Sequence, residues 1–259
     1  MMHDFLSLAL YTVLAQTAAG TYIFTELAGI RQNPVKKSRN IIIILILMVI
    51  AAGISFFHLG KPAHAMNAVN NIRTSWLSRE ILLMCILIAV LPVYSVSLAR
   101  NSNLAAKVLR FTSVILALLF LYSMIMLYML PSVRSWHHGS TPVSFFLTSA
   151  ICGITLAGIL HKSDADRIDN RYTILVVIFI LASLINSIIY WIHINYTPDL
   201  WLYSRLVLPL CAVLILTVKK IRYFSNNSAL WPVIAFGLLF TGELAGRIIF
   251  FLSFERSGL

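Results

Sequence analysis

The sequence predicts an all-α integral membrane protein. It reads as one bundle of eight transmembrane helices, a single domain over 1–259, with both termini on the outer side of the membrane. Three observations carry this. The protein has 259 residues, 59% hydrophobic and only 11% charged, where soluble domains run to about a quarter charged. Its apolar residues gather into eight runs near the ~20 residues that a helix needs to cross a bilayer core. Its 20 Lys and Arg residues fall unevenly on alternate connections.

Backbone polar groups in lipid must be satisfied within the segment, so the runs are helices, and barrel-type alternation is absent. Run one, 5–29, follows Met1-Met2-His3-Asp4, which carries no positive charge; with no small-residue cleavage pattern after it, it reads as a retained span. Run two, 40–58, starts after Lys36, Lys37 and Arg39 and ends at His58. Run three, 77–98, follows Ser75-Trp76. Run four, 109–130, stops at Pro131. Run five, 142–161, opens on Ser140-Thr141-Pro142, a cap with Pro at the first helical position. Run six, 172–195, closes near Trp191 and His193. Run seven, 201–218, begins at Trp201, and run eight, 229–252, carries Glu243 and Arg247. Pro92 and Pro209 lie inside helices, where a kink is expected and neighbouring helices satisfy the freed carbonyls.

The connections 30–39, 99–108, 162–171 and 219–228, with the helix starts they lead into, hold 13 of the Lys and Arg residues; the remaining residues hold 7. The richer set is expected on the cytoplasmic side, which puts both termini outside. Trp76, Trp136, Trp191 and Trp201 then fall at outer ends and Trp231 at an inner end, as aromatic belts do. The net charge of +11 would suit nucleic acid, but the basic clusters sit between apolar runs, so lipid is the expected surface and nucleic acid is not a partner. Cys85, Cys152 and Cys211 are isolated within apolar runs and supply no iron–sulfur ligand set. Connections are short, which leaves no room for a soluble domain. The longest outer one, 59–76, is where function is expected.

Ionisable residues inside spans are costly and therefore candidates: Glu26, His58, Arg79, Glu80, His193, Glu243 and Arg247. Glu26 reads as a solvated helix end. Glu243 and Arg247, four apart with the acid first, read as an intrahelical ion pair. His193 beside Trp191 reads as interfacial. His58 comes 18 residues into its helix, about 27 Å up, and Glu80 lies near the start of the next helix. An imidazole and a carboxylate are thus expected at one level beneath the longest outer loop, with Asn67, Arg73, Arg79 and Trp76 nearby. Together they would accept hydrogen bonds from a hydroxyl and carry its proton to water. A quinol suits this chemistry. A proton-coupled transport site using Glu26, Glu80 and Glu243 suits it as well, and two of His58, His137, His138 and His193 would serve a haem-b anchor.

Over residues 56–81, from Phe56-Phe57-His58-Leu59-Gly60-Lys61-Pro62 through Asn67 to Arg73-Thr74-Ser75-Trp76-Leu77-Ser78-Arg79-Glu80-Ile81, the sequence resembles the membrane anchor subunit of dimethyl sulfoxide reductase, the DmsC type. Weaker echoes lie at Trp136–Thr148 and at Thr241-Gly242-Glu243-Leu244-Ala245-Gly246-Arg247, so the resemblance covers essentially all 259 residues. It implies a multi-pass protein of the bacterial inner membrane that oxidises menaquinol. Electrons would pass to a four-cluster iron–sulfur subunit and on to a molybdopterin subunit, with no haem, cluster or metal in this protein itself. The menaquinol-linked histidine and glutamate of that family map onto His58 and Glu80. Asn67, Arg73, Trp76 and Arg79 are then expected at the ring or its charge. Trp136-His137-His138-Gly139 is expected at the site rim or a docking surface.

Overall fold

The computed structural model describes residues 2–27, 33–55, 71–100, 102–161, 170–218 and 230–256. These residues form eight helices: α1 Met2–Leu27, α2 Pro34–Ser55, α3 Trp76–Ala99, α4 Asn103–Tyr128, α5 Ser140–His161, α6 Asn170–His193, α7 Leu200–Val218 and α8 Leu230–Arg256. All eight are long and apolar enough to span a membrane.

Helix ends depart from the apolar runs where polar residues can cap them. α2 starts six residues before its run, because Pro34 occupies its first position and the Asn33 side chain accepts from the Val35 N–H at 3.0 Å. α5 starts two residues before Pro142, and the cap is His138, whose Nδ1 accepts the Ser140 N–H at 3.2 Å. α6 ends in a Schellman turn: Asn195 takes a left-handed φ of 49°, and the Tyr196 N–H reaches the Trp191 carbonyl at 3.0 Å. Asp199 then caps α7 by accepting the Leu202 N–H at 3.0 Å.

The interhelical hydrogen bonds fix direction. Tyr11, early in α1, meets Glu80 near the start of α3. Glu26, at the other end of α1, meets Lys37 near the start of α2. Successive helices therefore run antiparallel, and the bundle has a Glu80 end and a Glu26 end. α1 is the central element, packed against α2, α4, α5 and α8. It has the lowest mean hydropathy of the eight spans, 1.2, and the largest buried share, 72%, against 17% for α7. The least apolar helix is inside because Thr12, Gln16, Thr17, Thr21 and Glu26 line its buried faces. The periphery shows lipid Ile192, Phe111 and Leu214, each more than half exposed.

At the α1–α5 crossing the backbones touch. A Cβ on Gly20 would lie 2.1 Å from the Ser149 carbonyl oxygen, and one on Gly153 would lie 2.5 Å from the Gly20 carbonyl carbon. Without a hydrophobic drive between helices in lipid, such close approach of small residues is what holds them.

Candidate functional site

α3 begins at Ser75, whose hydroxyl accepts the Ser78 N–H at 3.3 Å. This cap sets Glu80 just past the first turn, facing inward, and leaves its side chain 1% exposed. One carboxylate oxygen accepts the Tyr11 hydroxyl of α1. The other, Oε2, is buried with no hydrogen-bond partner. A buried carboxylate oxygen without a donor is costly and is a feature of sites rather than scaffolds.

The other expected residues divide into three groups. His58 and Asn67 lie outside the described residues. Trp76 packs edge-on against Tyr122, ring centroids 5.6 Å apart, and carries the Arg79 guanidinium over its face at 4.2 Å. Arg79 donates to the Ile72 and Arg73 carbonyls at 2.9 and 2.6 Å, so it fastens the 71–75 turn and makes no ion pair with Glu80. Arg73 is exposed. In the rim segment, Trp136 is buried, donating its indole N–H to the Phe250 carbonyl at 2.9 Å and stacking on Phe250. It holds the segment onto α8, while His137 remains exposed.

His138 stacks on His193 with ring centroids 4.1 Å apart. Partial burial, and then the neighbouring His193, hold its imidazole below the ordinary value of 6.5. The neutral ring is thus the form that the fold favours: this junction is fully stable above 6.5 and weakens as pH falls below it. An NMR titration of His138 is expected to give a midpoint under 6.5 that rises in His193→Ala. A midpoint at or above the ordinary value would refute the assignment.

Two further charged clusters correct the reading of single helices. Glu26 is not a solvated end: it is 1% exposed. Its Oε2 meets Lys37 Nζ at 2.7 Å and Arg110 Nε at 2.9 Å, and its Oε1 accepts the Tyr94 hydroxyl at 3.2 Å. Four helices are tied at that end by partners invisible to a reading of α1 alone. Glu243 and Arg247 do not pair along α8. Glu243 meets Arg205 of α7 at 2.5 Å, accepts the Thr148 hydroxyl of α5 at 2.7 Å and accepts Ser183 of α6 at 3.3 Å. Arg205 fits because Gly246 has no side chain; a Cβ there would lie 2.9 Å from Arg205 Nε. Arg247 turns instead to Gln16 of α1, donating to Oε1 at 2.9 Å, and lies over the Phe145 ring at 3.5 Å. A cavity of about 20 Å³ adjoins this cluster, lined by Ser187, Asn186, Tyr190, Trp191, Arg205 and Glu243 among others. It is roomy and polar enough for a water molecule.

Arg205 and Tyr11 were not among the expected site residues. An arginine five residues into an apolar helix is a signal that would have found Arg205. Tyr11, within an apolar run, offers none. Among the described residues, no three His, Cys, Asp or Glu converge as a metal site would require.

The family model described as DMSO reductase anchor subunit (DmsC) matches residues 2–197. The protein belongs to that family. It is 30% identical to a chain of the anaerobic dimethyl sulfoxide reductase of Haemophilus influenzae, over 62% of its own length and 60% of that relative's. It is 27% identical to a chain of the anaerobic dimethyl sulfoxide reductase of Escherichia coli, over 94% of its own length and 93% of that relative's. A subunit of the sulfite dehydrogenase of Allochromatium vinosum is 28% identical over 45% of this protein and 40% of its own length. The protein thus spans about three fifths of the Haemophilus relative's length in that match, and nearly all of the Escherichia one. The family makes this protein an anchor subunit, and the match takes in α1 to α6. The family match ends before α7, so Arg205, Glu243 and Arg247 lie beyond it.

Proposed function

We propose that this protein is the quinol-oxidising anchor of a DMSO-reductase-type molybdenum oxidoreductase in a bacterial inner membrane. Both termini and the Glu80 end face the outer, periplasmic side, as the 13-to-7 distribution of basic residues suggests. The observation that carries the reading is the Glu80 carboxylate, buried near the start of α3, with one oxygen held by Tyr11 and the other without a donor. That free acceptor is what a quinol hydroxyl needs. His58 supplies the second acceptor from the connection before α3, and Trp76 and Asn67 belong to the rim of the same site.

The substrate is menaquinol, whose oxidation releases two electrons and two protons. Glu80 orients a hydroxyl and takes its proton toward the outer water. Tyr11 fixes the rotamer of Glu80, and α1 and α3 exclude water from the inner side. The electrons leave to a four-cluster iron–sulfur subunit docked over this end, and from there to a molybdopterin subunit.

The test is turnover of the assembled complex with a menaquinol analogue, beside turnover driven by a reduced viologen dye that feeds the partner subunits directly. His58→Ala and Glu80→Gln are each expected to lower the quinol-linked rate by about 100-fold or more, the range for a lost proton-transfer group, with the dye-driven rate kept. Normal quinol-linked rates in both variants would sink the proposal.

A further inference from the structure

The Glu26 end of the bundle carries more positive charge than its own carboxylate neutralises. Glu26 draws together Lys37 of α2, Arg110 of α4 and the Tyr94 hydroxyl of α3, so these three helices are fixed at one level around it. The Ser38 and Ser95 hydroxyls, 2.6 Å apart, tie α2 to α3 at the same end, and the Ser102 N–H reaches the Ser97 carbonyl at 3.1 Å across the turn from α3 to α4. Three further cations share that end. Arg39 lies two residues beyond Lys37, Lys107 lies three residues before Arg110, and Arg100 caps the C-terminus of α3, six residues after Tyr94. Each is exposed, and none of the three forms an ion pair with a described residue. Among the described residues, Glu80 and Asp199 lie at the opposite end, and Glu243 is taken by Arg205. In the sequence, the acids of the connection from α5 to α6, Asp164, Asp166 and Asp169, are matched in number by Lys162, Arg167 and Arg171.

Each of the three cations heads an exposed apolar stripe that runs toward the middle of the bundle. On α2, Arg39 is followed by Ile42 and Ile46; on α3, Arg100 is preceded by Val96 and Val93; on α4, Lys107 is followed by Phe111 and Ile115. Spacings of three and four keep each set on one face of its helix. A cation within a turn and a half of a helix end, with apolar side chains alongside it, stands at headgroup depth. A neutral lipid would cover the stripes and leave the cations unpaired. An acidic peptide would pair the cations without reaching along the stripes. An amphiphile with a phosphate head and acyl chains matches both.

We propose that the Glu26 end of α2, α3 and α4 is a binding surface for anionic phospholipid, with Arg39, Arg100 and Lys107 on the phosphates and the three stripes against the acyl chains. Lipid bound there neutralises the charge that Glu26 leaves over and spans helices that Glu26 joins from within. The surface lies at the opposite end of α1 and α3 from Glu80 and does not depend on the quinol-oxidising reading.

The experiment offers the full complex in detergent equal amounts of phosphatidylglycerol and phosphatidylcholine and counts the retained lipids by native mass spectrometry. Phosphatidylglycerol is expected to be retained in preference, less so as salt rises. A Lys or Arg beside an anionic lipid surface is worth a factor of about five in affinity. Arg39→Gln, Arg100→Gln and Lys107→Gln are therefore each expected to lower the preference about fivefold, and the triple variant about 100-fold. All three side chains are exposed, so the variants are expected to accumulate as the wild type does, with dye-driven turnover as the control for assembly. Arg134→Gln removes an exposed cation at the opposite end and is expected to leave the preference unchanged. Equal retention of the two lipids by the wild type, or a triple variant that keeps the preference, overturns the inference. So does an Arg134→Gln effect as large as the others, which would trace the preference to overall charge rather than to this surface.

Discussion

Replacing Arg205 by methionine is expected to leave little folded protein in a detergent extract. The substitution leaves Glu243 at 3% exposure with two hydroxyls and no cation in contact. Breaking one side of a buried ion pair typically destabilises by about 3–5 kcal/mol, because the remaining charge stays desolvated. The cost is not the net worth of the pair. The double variant Arg205→Met, Glu243→Met removes both charges and is expected to recover most of the loss, although Ser183 and Thr148 then lose an acceptor. The measurement is the fraction of protein that stays monodisperse on size-exclusion chromatography after a graded heat step. A single variant as robust as the wild type, or a double variant worse than the single, would show that the contact contributes little.

A methyl group at Gly153 is expected to be nearly as damaging. The added Cβ would meet backbone atoms of Gly20 and Thr21 at 2.5–2.9 Å, and backbone cannot swing aside as a flexible side chain can. The two helices must separate along their whole crossing, at the upper end of the range for overpacking, about 3 kcal/mol. Gly20→Ala meets Ser149 in the same way. Gly53 and Gly237 are the controls: each lies within a helix, and a Cβ there would have nothing within 4 Å. Alanine at these two positions is expected to be neutral or slightly stabilising, since glycine is a poor helix former. The comparison is thermal stability of the four variants in one detergent. Equal stability across the set would mean that the α1–α5 contact is looser than its geometry.

The eight spans were legible because lipid permits few alternatives: an apolar run of sufficient length must be a helix. Helix ends were less so. A window of apolar residues detects the hydrocarbon, whereas α2 and α4 extend six residues before their runs into polar territory, with Asn33 and Pro34 extending the first. The site divides in the same way. Glu80 was visible as a carboxylate near the start of a span. The partners of Glu26, Glu243 and Arg247 were not, because the spacing of Glu243 and Arg247 shows only that two side chains share a face. It says nothing of Arg205 on another helix, which reaches the carboxylate first. Tyr11 was hidden by its own hydrophobicity. A helix wheel describes one cylinder, and every contact that determines these charges joins two.

The central place of α1 has a consequence for how the protein is made. α1 leaves the ribosome ahead of the other seven helices and carries the bundle's most hydrophilic surface, yet several groups that satisfy or cover it belong to α5 and α8, synthesised later. Until Arg247 arrives, the amide of Gln16 has no guanidinium to meet. A nascent polypeptide halted after its fourth crossing would therefore leave the faces of α1 that meet α5 and α8 uncovered.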